Sequence, residues 1–366
     1  MCSAPGGCCA AAGTQPPRTA IVNEDTGAGS LPDRTLYIFK VNALEVSNEN
    51  PAPDAAPPSC DVVVVGSLNM DLVTRTPRLP QPGETLTGSG FSITQGGKGA
   101  NQAVALARLG ASVAMIGCVG DDDYGPVLLA NLAREGIDHR GVRIEHGCPT
   151  GIAAITVDDS SQNSIIVVPG SNHALTQADI EPLDTLLRDA RLLVCQLEVP
   201  LDTVRFALQA ARRHGCTTLL NAAPILPLDD ALLALVDWLV VNEIEAAALA
   251  GQAIDTPDDA RAAVAHLRRR GCRNVLITLG AQGTVAALGD ELRHFKAQKV
   301  AAIDTTGAGD TFVGGFGAAI AQGLTPEAAI RLGQAAAAIA VTRTGAQTAM
   351  PYRDEIASQP SSHRET

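Results

Sequence analysis

The run Ala302-Ile303-Asp304-Thr305-Thr306-Gly307-Ala308-Gly309-Asp310-Thr311-Phe312-Val313 is the segment best equipped for chemistry. Apolar residues at 312, 313, 316, 319 and 320 follow a helical period and predict a helix beginning near Asp310. Gly307 and Gly309, either side of Ala308, let the backbone turn tightly and aim several N–H groups outward. A helix start with unpaired amides attracts phosphate and can stabilise charge on a phosphoryl group in transit. An aspartate at the same place can take the proton of a hydroxyl that attacks such a group. The plainer alternative is that Asp310 is a helix cap and the glycines are only a loop.

A second segment, Gln95-Gly96-Gly97-Lys98-Gly99-Ala100-Asn101-Gln102, opens an apolar helix over residues 103–109. Lys98 lacks the Ser or Thr that follows it in a Walker loop. Its paired glycines admit close approach of a ligand, and Lys98 and Asn101 offer donors to hydroxyls; an ordinary turn is the competing reading. A third segment, Gly66-Ser67-Leu68-Asn69-Met70-Asp71, leaves the first predicted strand. Asn69 and Asp71 suit paired hydrogen bonds to neighbouring hydroxyls, or an Asx turn. Glu198 and Asn242 also fall at strand ends. Each alone reads as a loop residue, but five strand ends or helix starts with compatible groups argue for one site.

The elements that must position these groups begin at Asp61. Asp61-Val62-Val63-Val64-Val65-Gly66 is a β-branched run closed by glycine, which predicts a strand buried on both faces. Comparable runs occupy residues 113–119, 192–197, 217–220, 238–241 and 275–279. Helical patterns lie between them at 103–109 (stopped by Gly110), 124–134, 201–214 and 258–270. The alternation predicts an α/β fold with a mostly parallel sheet covered on both faces, and ligands beyond the carboxyl ends of its strands. Residues 72–95 and 151–169 alternate apolar and polar instead, with too little helix for crossovers. They predict a small antiparallel sheet, either an edge extension or a lid whose far face packs on a second subunit to form a homodimer.

Composition narrows the partners. A net charge of −12 over 366 residues argues against nucleic acid or an acidic membrane, while local amides and cations can still hold an anionic cofactor. Aromatic residues are scarce at 3%, so Ala, Val, Leu and Gly must fill the core. The nine cysteines contain no Cys-x-x-Cys pair and several lie in apolar runs, which predicts buried reduced thiols and a cytoplasmic protein. No apolar stretch reaches the roughly 20 residues of a membrane span. Residues 1–59 are rich in Ala, Gly, Pro and Asn without periodicity, apart from a short apolar patch at 36–41. They lack the pattern of a secretory signal, and are expected to be a disordered extension or an upstream start outside the functional protein.

With both glycine-rich segments in view, residues 61–356 resemble the ribokinase group of the PfkB carbohydrate kinases. Residues 95–105 correspond to the amino-terminal signature of that family, and residues 304–316 to the carboxy-terminal one. The resemblance implies a three-layer sandwich over residues 61–358, with a central mostly parallel sheet and a small β-sheet lid. It implies ATP-dependent phosphorylation of D-ribose at its 5-hydroxyl by in-line transfer, with Mg²⁺ accompanying the nucleotide. Asp310 then matches the base, and Gly307, Ala308 and Gly309 match the anion hole. Asn69, Asp71, Gly97, Lys98, Asn101 and Glu198 match sugar contacts. Asn242, Thr278, Leu279, Gly280, Ala281, Gln282 and Gly283 match nucleotide contacts, joined by Gly309 and by Gln334 near the adenine. Glu245, in an Asn-x-x-Glu element, is linked to Mg²⁺ through water.

The group is also activated by potassium. Asp304 and Thr306, with the carbonyls of Ala340, Arg343 and Gly345, match that site, but Ala349 stands where a serine hydroxyl often completes it. Deoxyribose, fructose or a nucleoside are the competing acceptors. A non-catalytic sugar sensor is a further alternative, whose mark would be loss of Asp310 or of the glycines; both are present.

Overall fold

The four valines Val62–Val65 (β1) point alternately to opposite sides, and all four are buried. Val63 and Val65 join one apolar cluster, Val62 and Val64 another, so the sheet separates two cores. The computed structural model describes residues 60–160 and 162–357. The expectations for residues 1–59, including Cys2, Cys8, Cys9 and the patch at 36–41, and for Ser358 lie outside the described residues.

The strands that follow are Asn69–Thr76 (β2), Gly90–Gly96 (β3), Val113–Gly120 (β4), Asp138–Glu145 (β5), Gly151–Asp158 (β6) and Asn163–Val168 (β7). After them come Leu192–Cys195 (β8), Thr217–Asn221 (β9), Trp238–Asn242 (β10), Asn274–Thr278 (β11), Thr284–Leu288 (β12) and Glu291–Phe295 (β13). The large sheet has the order β13-β12-β11-β10-β9-β8-β1-β4-β5. It is parallel from β5 to β11 and antiparallel at the β12–β13 edge.

Helices cover both faces, as the alternation of the sequence required. Lys98–Arg108 (α1) and Tyr124–Arg134 (α2) lie on one face. Gln177–Ile180 (α3), Asp184–Asp189 (α4), Leu201–His214 (α5), Asp230–Leu233 (α6), Glu243–Ala250 (α7) and Pro257–Arg269 (α8) lie on the other. Ala308–Ala321 (α9) and Pro326–Ala340 (α10) return to the first face, and Arg353–Ala357 (α11) follows. The predicted strands and helices are all present, but α1 starts at Lys98, five residues before its apolar stripe. Its first turn is Lys-Gly-Ala-Asn-Gln, too polar and glycine-rich to register as helix by periodicity.

The contact between α1 and α9 depends on one missing side chain. A Cβ on Gly314 would lie 2.2 Å from the Cβ of Ala105, so only glycine lets the two helices approach this closely. That crossing brings the first turns of α1 and α9 together.

The small sheet has the order β3-β2-β6-β7. Its two outer pairs are antiparallel, as expected, but they meet along a parallel β2–β6 pair. It also begins earlier than predicted, because Asn69 and Asp71 lie within β2. Their low strand propensity favoured a turn, and pairing with β3 on one side and β6 on the other overrides it.

Cys60, Cys118, Cys195, Cys216 and Cys272 are buried free thiols, and Cys148 is partly exposed. Burial pushes Cys60 up to about 11 and Cys216 and Cys272 up to about 12, which keeps them protonated and unreactive. No helix among the described residues is long and apolar enough to cross a membrane.

Candidate active site

Ser67, Glu198, Asn221, Asn242 and Thr278 all lie at or just past the carboxyl ends of β1, β8, β9, β10 and β11, on one edge of the sheet. A cavity of about 230 Å³ opens there, with Lys98, Gly307, Gly309 and Asp310 on one side and Asn242, Glu245 and Thr278 on the other. A larger hollow of about 450 Å³ lies at the opposite end of the strands, where Arg212 and Arg273 both pair with Asp237. It holds two guanidiniums on one carboxylate and none of the glycine-rich helix starts, so the smaller cavity is the candidate site.

Helix α9 begins at Ala308, with Gly307 at the cap position in a left-handed conformation (φ 71°). Capping therefore falls to Gly307, and Asp310 occupies the first turn, where its negative charge suits the helix dipole. The buried Asp310 carboxylate turns to α1: Asn101 Nδ2 donates to Oδ2 at 3.0 Å and Gln102 Nε2 to Oδ1 at 2.9 Å. Each carboxylate oxygen can accept more than one bond, so these two contacts orient the group without exhausting it.

The other predicted sugar contacts converge on the same place. Glu198 Oε2 accepts from Ser67 Oγ at 2.5 Å and from the Lys98 backbone N–H at 3.1 Å, which ties it to the start of α1. Asn69 Oδ1 accepts from Asn172 Nδ2 at 2.7 Å, and Asn172 also exchanges hydrogen bonds with both backbone groups of Leu68. Asp71 is buried, and Gly96 has no Cβ because the Asp71 carboxylate fills that space, 2.2 Å from the ideal position. Burial raises the Asp71 pKa to about 7; the carboxylates of Glu198 and Asp310 add to the rise and Lys98 opposes it. Burial also works against the Lys98 ammonium, but Asp310, Glu198, Glu245 and Asp71 outweigh it and hold its pKa above the ordinary value.

Where nucleotide contacts were expected, Asn242 and Glu245 form a capping box at the start of α7. Asn242 Oδ1 accepts from the Glu245 N–H at 2.8 Å, and Glu245 Oε2 from the Asn242 N–H at 2.9 Å. Burial raises the Glu245 carboxyl above its usual range. Thr278 sits opposite Asn242 on β11, and residues 280–282 form a single tight turn before β12. Gln334 spends its amide nitrogen on Thr284 Oγ1 and the Phe295 carbonyl, at the ends of β12 and β13.

The candidate cation residues also meet. Asp304 Oδ1 accepts from Thr306 N at 2.9 Å and Thr306 Oγ1 at 2.6 Å, and Oδ2 accepts from Gly345 N at 2.9 Å. Asp304 N donates to Val341 O at 3.2 Å, so this loop is bonded to the segment that carries Ala340, Arg343 and Gly345. Ala349 is buried and brings no side-chain oxygen. Among the described residues no group of three His, Cys, Asp or Glu is placed to cage a metal.

The sequence reading missed the residues that hold the site rather than face it: Ser67, Gln102, Asn131, Asn172, Gln196, Asn221 and Gln347. Gln102 and Ser67 carried a signal, their places beside Asn101 and near Asn69 in the two quoted segments; the others act across separations such as the 104 residues between Leu68 and Asn172.

A sequence model of the pfkB family of carbohydrate kinases matches residues 60–353. The chain is 43% identical over 294 residues to a ribokinase of Haemophilus influenzae, covering 80% of this chain and 96% of that one. It is 40% identical over 297 residues to a deoxyribokinase of Salmonella typhimurium, covering 81% and 97%. Its fold is similar to that of Arabidopsis thaliana ribokinase complexed with ribose and ATP, with a TM-score of 0.77 and 31% identity over 82% of this chain and 98% of that one.

Proposed function

The chain belongs to the pfkB family of carbohydrate kinases, and from that premise we propose that it phosphorylates D-ribose at the 5-hydroxyl with ATP. The observation that carries this is the buried Asp310 carboxylate, held between Asn101 and Gln102 in the first turn of α9 and beside the cavity of the candidate site. Asp310 takes the proton of the attacking hydroxyl, while the amides at the start of α9 and the Lys98 ammonium face the charge of the phosphoryl group. Asn69, Asp71, Lys98, Asn101 and Glu198 are the sugar-facing groups, and Asn242, Thr278 and the 280–283 turn are the nucleotide-facing ones.

Mg²⁺ accompanying ATP would neutralise phosphate charge. Glu245, on the cavity wall, suits a hydrated ion rather than direct ligation, because part of its carboxylate is committed to its capping box. Potassium fits the all-oxygen set of Asp304, Thr306, Ala340, Arg343 and Gly345, with one oxygen fewer because of Ala349. The small sheet is the lid and the dimer contact. Strand register puts Phe91, Ile93, Ile166 and Val168 on the face opposite Asp71, where Phe91 is 65% and Ile166 66% exposed. The buried free thiols fit a reducing cytoplasm.

ATP turnover with ribose, deoxyribose, fructose and adenosine, in potassium and in sodium, tests the reading. Ribose should give the highest kcat/KM, and more so in potassium. The 40% identical deoxyribokinase makes deoxyribose the second reading, supported if that sugar leads. Ribose binding without phosphate transfer would overturn the kinase in favour of a sensor.

A further inference from the structure

Two chains of buried amides run outward from Asp310, and only one of them ends satisfied. An ionised carboxylate accepts hydrogen bonds and donates none, so any amide against it must present its nitrogen. Along the first chain Asn101 does so; Gln347 Nε2 then donates to Asn101 Oδ1 at 3.0 Å, and Asn131 Nδ2 to Gln347 Oε1 at 2.8 Å. The chain closes on Arg134, whose guanidinium donates to Asn131 Oδ1. An acceptor-only group at one end and a donor-only group at the other agree on the direction of every link.

Along the second chain Gln102 Nε2 donates to Asp310 and to Asn221 Oδ1 at 3.0 Å, and Gln196 Nε2 donates to Gln102 Oε1 at 2.6 Å. There the chain stops. Gln196 Oε1 is the one buried side-chain polar atom among the described residues without a partner. It occupies the space a side chain on Gly66 would need, 2.0 Å from the ideal Cβ position. Turning Gln196 over would set its oxygen against that of Gln102, and turning both would set the Gln102 oxygen against Asp310. The charge on Asp310 thus imposes the unsatisfied oxygen two residues away.

We propose that Gln102 is a positioning residue for the Asp310 base and that Gln196 keeps the Gln102 amide turned towards it, at a cost in stability. This rests on the assignment of Asp310 as the base of a sugar kinase. Gln102 is fully buried, with both amide donors and its oxygen engaged by protein groups, so it acts on Asp310 and not on solvent or substrate.

The test uses the full chain with Gln102→Met, Gln196→Met and the double variant, reading turnover on the best acceptor and thermal unfolding. Gln102→Met should lower kcat about 10- to 100-fold, with both KM values within about twofold of wild type. Gln196→Met should lower kcat several-fold with little change in Tm, because it removes one unpaired oxygen and leaves another on Gln102; added to Gln102→Met it should raise Tm by about 2 °C, since both polar atoms of Gln196 are then without partners. The double variant should turn over like Gln102→Met alone, since Gln196 works through Gln102.

A double variant that melts below Gln102→Met overturns the proposal, as does a folded Gln102→Met protein with kcat within twofold of wild type. So does a rise in KM at constant kcat, or additive losses in the double variant. Should Gln102→Met not fold, the kcat of Gln196→Met decides alone, and a value within twofold of wild type overturns the proposal. Should the wild type phosphorylate no acceptor, the kinase reading fails separately and the Tm comparison still decides the orphaned oxygen.

Discussion

Replacing Asp71 by asparagine should stabilise the protein, and should do so only above acid pH. Asp71 is buried, faces the field of Glu198 and Asp310, and titrates near pH 7 rather than at its ordinary 3.8. The unfolded chain gives up this proton near pH 3.8 and the folded chain keeps it to about 7. Between those values the folded state binds more protons, so stability falls as pH rises and the penalty is complete above pH 7. At 1.36 kcal/mol per pKa unit the ceiling is about 4 kcal/mol, or a Tm difference on the order of 10 °C for a domain of this size. The substituted amide would keep the shape against Gly96 and carry no charge. Thermal unfolding of both proteins from pH 4 to 9, without sugar and at constant ionic strength, should show curves that coincide at the acid end and separate up to about pH 7. A gap of constant size at every pH would refute the argument, and so would a variant less stable than wild type at pH 8.

Asp310→Asn should lower turnover about 10²- to 10⁴-fold, the usual range for a lost general base. It should also melt lower, because its amide nitrogen must face Asn101 or Gln102, and one unpaired buried donor costs about 1–3 kcal/mol. A folded variant with near-wild-type kcat removes Asp310 from the role of base. Gly314→Ala should cost about 1–3 kcal/mol by denaturant unfolding, since its Cβ would sit 2.2 Å from that of Ala105; an unchanged midpoint would mean that α1 and α9 part easily. Phe91→Ser combined with Ile166→Ser should convert a dimer to a monomer in light scattering without unfolding it, and a wild type that is already monomeric sinks the lid contact.

The layers of the fold were legible because the parallel strands are short runs of Val, Leu and Ile with helical stripes between them. Four consecutive valines at 62–65 leave few alternatives. The β12–β13 edge and β5 went unread, since three of the five residues of Thr284–Leu288 are alanine or threonine and half of Asp138–Glu145 is Asp, Glu or Arg. At the site, the glycine-rich starts of α9 and α1 were visible as motifs. The strand membership of Asn69 and Asp71 was not, because pairing with β6 depends on residues 82 positions away in each register pair, as between Asn69 and Gly151. The supporting amides were invisible for the same reason: a buried Gln196 or Gln347 looks like any other glutamine until distant backbone folds around it.

Asn69 and Asp71 belong to the small sheet, whereas Asp310, Lys98 and Glu198 are fixed to the large one. On the proposed assignment, an acceptor held by both sets works as a strap between the two sheets. On that assignment turnover is coupled to the acceptor that bridges the two sheets, and a sugar lacking one of the bridging hydroxyls should lose turnover out of proportion to its loss of affinity.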